Sequence, residues 1–368
     1  MKRILFVTQN MERTGSEMVL WHLLNNLDPN QYSVFVFCLK KGALYNSLPK
    51  HVQKSVVYKA SGSLKDKIWR TLLKIIGKKP LAYQLTVIHK EFKPDYWYVN
   101  TLAMPWIYQI ANKISVKVVT HLHELLYAFT YNRSNEFEAM LQKSNTIIGC
   151  SDIVCKCIED IGHPDVRLQY SFIDENNIDV NKEKVEVLKK ELGIKAEDFV
   201  WVISGATSYM KGFDYMLRIL EKFATINVKF LWIGKKFDDG LNYYIEKIAK
   251  SKFNDRLIFA GAQSDDYFNY MSIGHGLLLL SREESFSMVA IEAAFLGIPT
   301  VGFDVGIMRS FIKEDMGEIV DDGNLKALIA AMNKWQTKTP DKKKLKNEAL
   351  NYGVSKQIIK YQHLLDSL

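Results

Sequence analysis

The stretch 276–302 reads GLLLLSREESFSMVAIEAAFLGIPTVG, and its pattern decides the fold. The apolar run 276–280 predicts a strand buried on both faces, as the strands of parallel sheets are. A polar loop follows, an apolar helix is predicted over 289–296, and the β-branched run 300–302 predicts the next strand. A strand, a helix and a second strand in this order form the unit from which parallel sheets are built.

The same alternation extends over the whole chain. In the first half, strands are predicted at 4–8, 33–38, 55–58, 97–99, 116–120 and 146–149. In the second half, they are predicted at 200–203, 229–233, 257–259, 277–280, 300–302 and 318–320. Longer amphipathic segments that predict helices lie between them. We therefore predict an α/β protein with two facing Rossmann-like domains.

The length of 368 residues also fits two domains of about 150 residues each. The segment 164–198 is polar, has no strong strand signal and is the predicted boundary. A second polar break at 337–344 precedes a last helix, which is predicted near 356–365. The predicted parts are an N-terminal domain at 1–170, a second domain at 171–350, and a C-terminal helix at 351–368 that returns to the N-terminal domain. Packing of this helix on the second domain is the alternative.

Composition excludes several classes of protein. Hydrophobic residues make up 48% and charged residues 24%, which argues against disorder. No run approaches the roughly 18 apolar residues of a spanning helix. The apolar run after Arg3 is too short for a signal peptide, and the four cysteines are irregularly spaced, so we expect an intracellular protein with reduced thiols. The net charge of +8 suits an acidic ligand, a nucleic acid or an anionic membrane.

The loop that follows Leu280 has the features of a phosphate site. Four backbone N–H groups would lie at the start of the next helix, where free N–H groups bind phosphate; they belong to Ser285, Phe286, Ser287 and Met288. Either Ser285 or Ser287 would be the helix cap. Glu292 would lie about 7 Å further along the helix, where a carboxylate suits ribose hydroxyls. The alternative is that Glu284 and Glu292 are solvated charges at the helix ends.

This segment resembles the signature of the retaining glycosyltransferases of family 4, the glycosyl transferases group 1, which have the GT-B fold. Their signature is Glu-x7-Glu with Gly-Phe-Gly after the first Glu, then an Ala-rich helix, a Gly, and a Pro before a strand. The chain has the corresponding residues in order: Glu284, Phe286, Glu292, Ala293, Ala294, Gly297, Pro299 and Thr300. Ser285 and Ser287 stand where glycine is usual, and their Cβ atoms narrow the space for a phosphate.

A second part of the resemblance is the loop 204–214, which follows a predicted strand and opens a predicted helix at 211–223. In the family, this loop supplies an Arg and a Lys to the donor diphosphate. Lys211 matches the Lys, Gly205 belongs to the same loop, and Ala206 stands in the place of the Arg. A lysine at a helix start opposes the helix dipole, which an anionic ligand would compensate. The alternative is an exposed surface lysine.

The first loop of the chain has Gly15 and Ser16 followed by Glu17, as family members commonly have at this helix start. Gly15 lets a phosphate or sugar approach the backbone closely. The resemblance implies that Gly15 and Ser16 close over the donor from the opposite domain. The alternative is structural, because Glu17 also favours a helix N-terminus electrostatically.

The strand predicted at 116–120 is followed by His121, His123 and Glu124. Family members commonly have His-Asp or His-Glu here, close to the reacting sugar, which implies that His123 is catalytic. A structural histidine is the alternative. His121 and His123 point the same way on an extended strand. A third zinc ligand is not evident, so we predict no metal site.

The segment 64–79 is basic and amphipathic, with Ile68, Leu72 and Ile75 on one helical stripe. Its cations are Lys65, Lys67, Arg70, Lys74, Lys78 and Lys79. Such a helix can lie on an anionic bilayer. The alternative is that the stripe packs against the first sheet.

The resemblance implies a retaining, metal-independent glycosyltransferase that acts in cell-surface polysaccharide synthesis on a glycan or lipid-linked acceptor. His123, Lys211 and Glu284 are its predicted catalytic residues. We expect no cofactor: the nucleotide sugar is a co-substrate, with a UDP-sugar favoured and a GDP-sugar as the alternative. The expected location is the cytoplasm, with contact to the inner face of the membrane and none to nucleic acid. A GT-B scaffold without activity, serving as a binding or partner subunit, is the alternative function.

Overall fold

The computed structural model describes residues 1–57, 63–223, 227–253 and 256–368. The chain forms two compact units. The first consists of Met1–Phe172 together with Gln357–Leu368, and the second of Ile173–Lys356.

The first unit is built around a parallel sheet of seven described strands. These are β1 (Lys2–Thr8), β2 (Tyr32–Cys38), β3 (Gln53–Val56), β4 (Tyr96–Val99), β5 (Val118–Leu122), β6 (Thr146–Gly149) and β7 (Val166–Leu168). Their order is β3-β2-β1-β4-β5-β6-β7. The helices are α1 (Gly15–Asn26), α2 (Leu64–Ile75), α3 (Pro80–Phe92), α4 (Trp106–Ile114), α5 (Leu126–Phe129), α6 (Ser134–Lys143) and α7 (Asp152–Glu159).

The apolar strand β1 is central in this sheet. It pairs with β2 on one side and β4 on the other, and Ile4, Leu5, Phe6 and Val7 are fully buried. Because all strands run in the same direction, their carboxyl ends meet at one edge of the sheet. The loops that follow β1, β4 and β5 therefore start at the same edge.

The second unit repeats this architecture with six described strands. They are β8 (Phe199–Ser204), β9 (Val228–Ile233), β10 (Leu257–Gly261), β11 (Gly276–Leu279), β12 (Thr300–Phe303) and β13 (Gly317–Val320), in the order β10-β9-β8-β11-β12-β13. The helices are α8 (Lys182–Glu191), α9 (Met216–Lys222), α10 (Gly240–Lys252), α11 (Tyr267–Met271), α12 (Met288–Phe295), α13 (Met308–Phe311), α14 (Leu325–Trp335) and α15 (Lys342–Ala349). Short 3₁₀ helices lie at Glu175–Asn177, Phe213–Tyr215 and Leu350–Tyr352.

The last helix, α16 (Val354–Ser367), begins in the second unit and ends in the first. The Lys2 ammonium donates to the carbonyl of Leu365 at 2.7 Å, and the Tyr32 hydroxyl donates to Asp366 at 2.6 Å. Tyr361 is buried against Phe172 of the same unit. The predicted return of the C-terminal helix to the N-terminal domain is therefore confirmed, as is the α/β fold with two Rossmann-like domains.

Several predicted elements need correction. The segment 164–198 contains β7 and α8, and α15 begins inside the polar break at 337–344. β7 has three residues and lies at the sheet edge, so it needs no apolar run to be stable. The third strand lies two residues before its predicted position at 55–58, whose last residue, Tyr58, is outside the described part of the chain. β5 lies two residues later than predicted, so that His121 is inside the strand.

The basic segment forms a helix, but the alternative by which its apolar stripe packs against the first sheet is wrong. α2 ends at Ile75, and its apolar stripe does not pack on the sheet: Ile68 is 54% exposed, Ile75 is 74% exposed, and Leu72 is exposed as well. Leu73 is fully buried, and the ring of Trp69 contacts Tyr83 of α3 edge-on. The helix thus contacts the rest of the unit through Leu73 and Trp69, while its apolar stripe stays exposed. No helix within the described residues combines the length and hydrophobicity needed to cross a bilayer.

Candidate functional site

The structure brings Lys211 and Glu284 together at the carboxyl edge of the second sheet. The Lys211 ammonium donates to Oε1 of Glu284, and the hydroxyl of Ser281 donates to the same oxygen at 2.6 Å. The carboxylate of Glu284 is mostly buried, with 12% of its side chain exposed, whereas Lys211 is 32% exposed. The two predicted catalytic residues of this unit therefore form one ion pair that still reaches solvent.

Lys211 does not lie at a helix start, contrary to the prediction. It belongs to a loop after β8 that ends in the 3₁₀ helix Phe213–Tyr215, and α9 begins only at Met216. Gly212 explains the difference, because its φ of +71° breaks the helical course of the chain. A Cβ at Gly212 would lie 2.2 Å from the carbonyl oxygen of Leu280. The missing side chain thus lets this loop pack directly on the end of β11, beside Glu284.

Arg282 joins the same two loops, and the sequence analysis did not single it out. Its guanidinium donates to both carboxylate oxygens of Asp214, at 2.8 and 2.7 Å. It also lies over the ring of Tyr209, at 3.6 Å from the centroid, and over that of Tyr215. Such bidentate, stacked geometry uses the full donor fork of an arginine. Arg282 therefore fastens the loop of Lys211, and we do not assign it the place of the arginine that the family has at Ala206.

Glu292 lies on α12 and is tied to a neighbour that the sequence analysis missed. The hydroxyl of Tyr267 donates to Oε2 of Glu292 at 3.0 Å, and the hydroxyl of Ser204 lies 2.9 Å from that of Tyr267. Burial raises the pKa of Glu292 to about 7. Strongly shifted pKa values are more frequent at functional sites than elsewhere, which makes Glu292 a candidate site residue.

The start of α12 differs from a normal helix cap. Ser287 is the N-cap residue, but its φ is +79° and its side chain makes no cap hydrogen bond. Its hydroxyl is buried without a hydrogen-bond partner. Normal serine caps have extended backbone, from which the hydroxyl reaches the helix N–H groups. The predicted cap by Ser285 or Ser287 is therefore absent.

Phe286 lies between these serines and anchors the loop. Its side chain is 2% exposed, and its ring packs edge-on against Tyr352 at 5.4 Å. Ser285 and Met288 are partly exposed, whereas Ser287 is buried like Phe286. The ring of Phe286 therefore holds the loop in place and is not available to a ligand.

The glycines predicted to bind the donor have different surroundings. A Cβ at Gly205, whose φ is +143°, would be 3.4 Å from Cγ and Cδ of Lys211, so this glycine lies directly beside the lysine stem. A Cβ at Gly15 would meet no atom within 4 Å. Gly15 is the first residue of α1 and leaves open space at that helix start.

A second polar cluster lies at the carboxyl edge of the first sheet. Nε2 of His123 is 3.3 Å from Oδ1 of Asn100, and Nδ2 of Asn100 donates to the carbonyl of Ser16 at 3.2 Å. The hydroxyl of Ser16 donates to Glu17 at 2.7 Å. The side chain of Asn100 therefore connects His123 with Ser16, which the sequence predicted as two separate site residues.

Glu124 completes this cluster. Its carboxylate accepts from the backbone N–H of His123 at 2.9 Å and from the hydroxyl of Thr101. Burial raises the pKa of Glu124 to about 7, and the charge of Glu17 adds to the effect. Burial lowers the pKa of His123 to about 3, so its imidazole is neutral at physiological pH.

His121 has a separate, internal role. It is fully buried, and its Nδ1 lies 2.8 Å from the hydroxyl of Tyr98 and 3.1 Å from that of Tyr361 on α16. The rings of His121 and His123 lie 3.9 Å apart between centroids and are tilted by 47° to each other. Within the described residues, no three His, Cys, Asp or Glu side chains are grouped so as to hold a metal ion.

The chain is similar to proteins of one known family. Residues 184–352 match the family model of the glycosyl transferases group 1. The chain is 25% identical to N-acetyl-alpha-D-glucosaminyl L-malate synthase of Bacillus anthracis over 57% of this chain and 55% of that protein. It is also 25% identical to alpha-galactosylglucosyldiacylglycerol synthase of Streptococcus pneumoniae, over 49% of this chain and 43% of that protein. The matched region thus spans only about half the length of these two relatives.

A solved structure resembles the chain over its full length. It is HepE of Anabaena in complex with UDP-glucose, with a TM-score of 0.80, 18% identity, and complete coverage of both chains. At this identity, the likeness establishes the fold. Both units thus have the architecture found in GT-B glycosyltransferases, which confirms the fold that the sequence predicted.

The backbone of Ser287 generates a first prediction. Left-handed backbone costs an L-residue about 1–2 kcal/mol, and glycine avoids this strain. Glycine also loses about 0.5–1 kcal/mol more chain entropy on folding, which cancels part of the gain. We expect Ser287→Gly to raise the free energy of unfolding in urea by about 0.5–1 kcal/mol. Ser285→Gly is the control, because Ser285 lies outside the left-handed region, and it should lower stability. Equal losses in both variants would contradict the assignment of strain to Ser287.

Proposed function

Because residues 184–352 match the family model of the glycosyl transferases group 1, we propose that the chain is a retaining, metal-independent glycosyltransferase of this family. It would move a hexosyl-type group from a nucleoside-diphosphate sugar to a glycan or lipid-linked acceptor in cell-surface polysaccharide synthesis. The observation that carries the proposal is the Lys211–Glu284 ion pair beside the start of α12, with Glu292 on the same helix. A cation, a helix N-terminus and two carboxylates match the charges and hydroxyls of such a donor.

In the proposed mechanism, this unit stabilises the leaving diphosphate. The first N–H groups of α12 have no carbonyl partner within their own helix, and together with Lys211 they would take the negative charge that develops as the glycosidic bond breaks. Glu284 would accept hydrogen bonds from hydroxyls of the donor sugar, and Glu292 from those of the ribose. Transfer would occur on the front face, with a donor phosphate oxygen taking the proton of the acceptor hydroxyl.

The first unit would supply His123 close to the reacting sugar, with Gly15 and Ser16 at the other end of the same cluster. Open space at Gly15 supports this role, since a sugar or phosphate could approach the backbone there. A UDP-sugar is the favoured donor and a GDP-sugar the alternative. The HepE structure contains UDP-glucose, which supports this preference by analogy.

The central test measures release of nucleoside diphosphate. The full chain is incubated with UDP- and GDP-sugars, each with and without an extract of lipid-linked and glycan acceptors. Acceptor-dependent release without added metal would support the proposed activity.

A second candidate function is a binding subunit without activity, motivated by Ala206, Ser285 and Ser287. Donor binding by calorimetry without turnover would favour this alternative, and absence of both would overturn the donor site itself.

Lys211 provides the second prediction. Lys211→Ala removes a cation from the diphosphate, and loss of one such group typically costs about 10²–10³-fold in rate. We expect a fall of kcat/KM of about 10²-fold. The control is Lys334→Ala, which breaks a similar Lys–Glu pair with Glu318 at 2.6 Å elsewhere in this unit and should leave kcat/KM unchanged. Similar rates for wild type and Lys211→Ala would exclude Lys211 from the site.

The raised pKa of Glu292 provides the third prediction. A ribose hydroxyl donates best to the ionised carboxylate, so binding should lower the pKa of Glu292 and release a proton. Affinity for UDP-glucose is therefore expected to rise with pH through 7, by about three- to tenfold between pH 6 and pH 8. Calorimetry at several pH values measures this, and Glu292→Gln should abolish the dependence. A pH slope that persists in Glu292→Gln would assign it to another group.

The proposed enzyme would also contact an anionic membrane through α2. The exposed apolar residues of this helix and of the position directly after it are Leu64, Ile68, Trp69, Leu72, Ile75 and Ile76. Exposed cations border them at Lys65, Lys67 and Lys74. A contiguous exposed apolar face is uncommon on a monomeric surface. Burial of apolar side chains at the lipid boundary, with attraction of the lysines to anionic headgroups, accounts for both features.

Liposome co-sedimentation provides the fourth prediction. Replacement of Lys67, Arg70 and Lys74 by glutamine should reduce binding to anionic vesicles, at about 1 kcal/mol per cation near the surface. Replacement of Ile68 and Ile75 by serine should reduce binding as well. The control is the same change of charge at Lys342, Lys343 and Lys344 of α15, which should have little effect. Equal sedimentation of all variants would remove α2 from the proposal.

A further inference from the structure

The hydroxyl of Tyr267 joins three elements of the second unit. Tyr267 is the first residue of α11. Its hydroxyl donates to Oε2 of Glu292 on α12 at 3.0 Å and lies 2.9 Å from the hydroxyl of Ser204, the last residue of β8. A tyrosine hydroxyl has one hydrogen, and an ionised carboxylate can only accept it. Ser204 therefore donates to Tyr267 while Glu292 is ionised, and the three groups form one directed chain of hydrogen bonds.

The helix that carries Tyr267 is itself held in place. The side chain of Asn269, which is 8% exposed, accepts from the backbone N–H of Asn181 at 2.8 Å and donates to Asp266 at 3.0 Å. The carboxylate of Asp266 also lies 3.5 Å from the ammonium of Lys184 on α8. These contacts fasten the start of α11, so the surrounding protein sets the position of the tyrosine hydroxyl.

The two carboxylate oxygens of Glu292 have different surroundings. Oε2 accepts from Tyr267, whereas no hydrogen bond from any of the described residues reaches Oε1. Glu292 is partly exposed, and Oε1 is not one of the polar atoms that are buried without a partner. Oε1 therefore reaches solvent. It is the oxygen that a ligand hydroxyl can meet without displacing a donor of the protein.

Tyr267 also favours the form of Glu292 that accepts hydrogen bonds. Burial raises the pKa of Glu292 to about 7, and the hydrogen bond from Tyr267 acts in the opposite direction because it stabilises the ionised carboxylate. Of the described residues, Tyr267 is the side chain that acts on this pKa. One hydroxyl thus orients the carboxylate and at the same time favours its ionised form.

We propose that Tyr267 is a positioning residue that fixes Oε2 of Glu292, so that Oε1 alone accepts from the ribose of the donor and the site distinguishes the two ribose hydroxyls. This inference rests on the proposed function, in which Glu292 binds the ribose, and adds the number of hydroxyls that it holds. With one oxygen available, one hydroxyl makes the charge-assisted hydrogen bond and the other does not. Tyr267 acts on the ligand only through Glu292.

Binding of deoxynucleotides tests the single contact. Calorimetry on the full chain at pH 8 compares UDP with 2′-deoxy-UDP and 3′-deoxy-UDP. With wild type, one analogue should lose about tenfold or more in affinity, because a hydrogen bond to a charged group is removed, and the other less than about threefold. In Tyr267→Phe, Oε2 is released and can accept from the second hydroxyl, so the losses for the two analogues should become similar. Equal losses with wild type would overturn the inference.

The pH dependence of UDP binding separates positioning from a merely structural role. Without the tyrosine hydroxyl, the ionised form of Glu292 loses a donor and its pKa rises, so in Tyr267→Phe the gain of affinity with pH should move to higher pH. Lost packing would instead weaken binding equally at every pH. The control is Tyr270→Phe on the same helix, whose hydroxyl has no hydrogen-bond partner among the described residues; it should behave as wild type. Coincident pH profiles of Tyr267→Phe and wild type would refute the role of Tyr267.

This proposal and the proposed function fail in different ways. Binding of UDP with equal losses for both deoxy analogues would refute the single contact while the donor site stands. If GDP binds and UDP does not, the corresponding deoxy-GDP analogues give the same comparison. Absence of binding by both nucleotides would refute the donor site, and with it this inference. If Tyr267→Phe does not fold, the two analogues compared on wild type still decide the question.

Discussion

The ion pair between Lys211 and Glu284 is the interaction on which the polar edge of the second unit depends. It joins loops that leave the two neighbouring strands β8 and β11. Gly212 makes the approach sterically feasible, and Arg282 with Asp214 locks the same loops a few residues away. Because the carboxylate of Glu284 is mostly buried, removal of either partner would leave a charge in a poorly hydrated place. The pair therefore serves folding and is at the same time the feature that an anionic ligand would meet.

Each unit keeps a carboxyl group near the carboxyl edge of its sheet in an environment that disfavours the ionised form. Burial raises the pKa of Glu124 and Glu292 to about 7 each. As the pH rises from about 4.5 to about 7, both groups progressively lower the stability of the native state, because the unfolded chain ionises while the folded protein still holds the proton. Strongly shifted pKa values of this kind are more frequent at functional sites than elsewhere. The two edges share this property although their residues differ.

Much of the fold and part of the candidate site could be predicted from the sequence, because their signals lie within short stretches of the chain. The continuous apolar runs before Thr8 and Ser281 identify buried parallel strands, and the motif from Glu284 to Glu292 identifies the helix start that follows. Asn100, Tyr267 and Arg282 were not found, because their importance comes from partners elsewhere in the sequence. Ser16 is 84 residues from Asn100, Asp214 is 68 residues from Arg282, and Glu292 is 25 residues from Tyr267. The left-handed backbone of Ser287 has no sequence signal either, since serine there looks like an ordinary cap.

The course of α16 has a consequence for how the chain is made. The Lys2 ammonium donates to the carbonyl of Leu365, 363 residues later. The hydroxyl of Tyr361 lies within hydrogen-bond distance of the hydroxyl of Tyr98 and of Nδ1 of His121, and all three residues are buried. A ribosome delivers residues 1–172 long before residues 357–368. The first unit can therefore be completed only after the whole second unit has been synthesised. A chain that ends before residue 357 lacks the segment that completes its first unit.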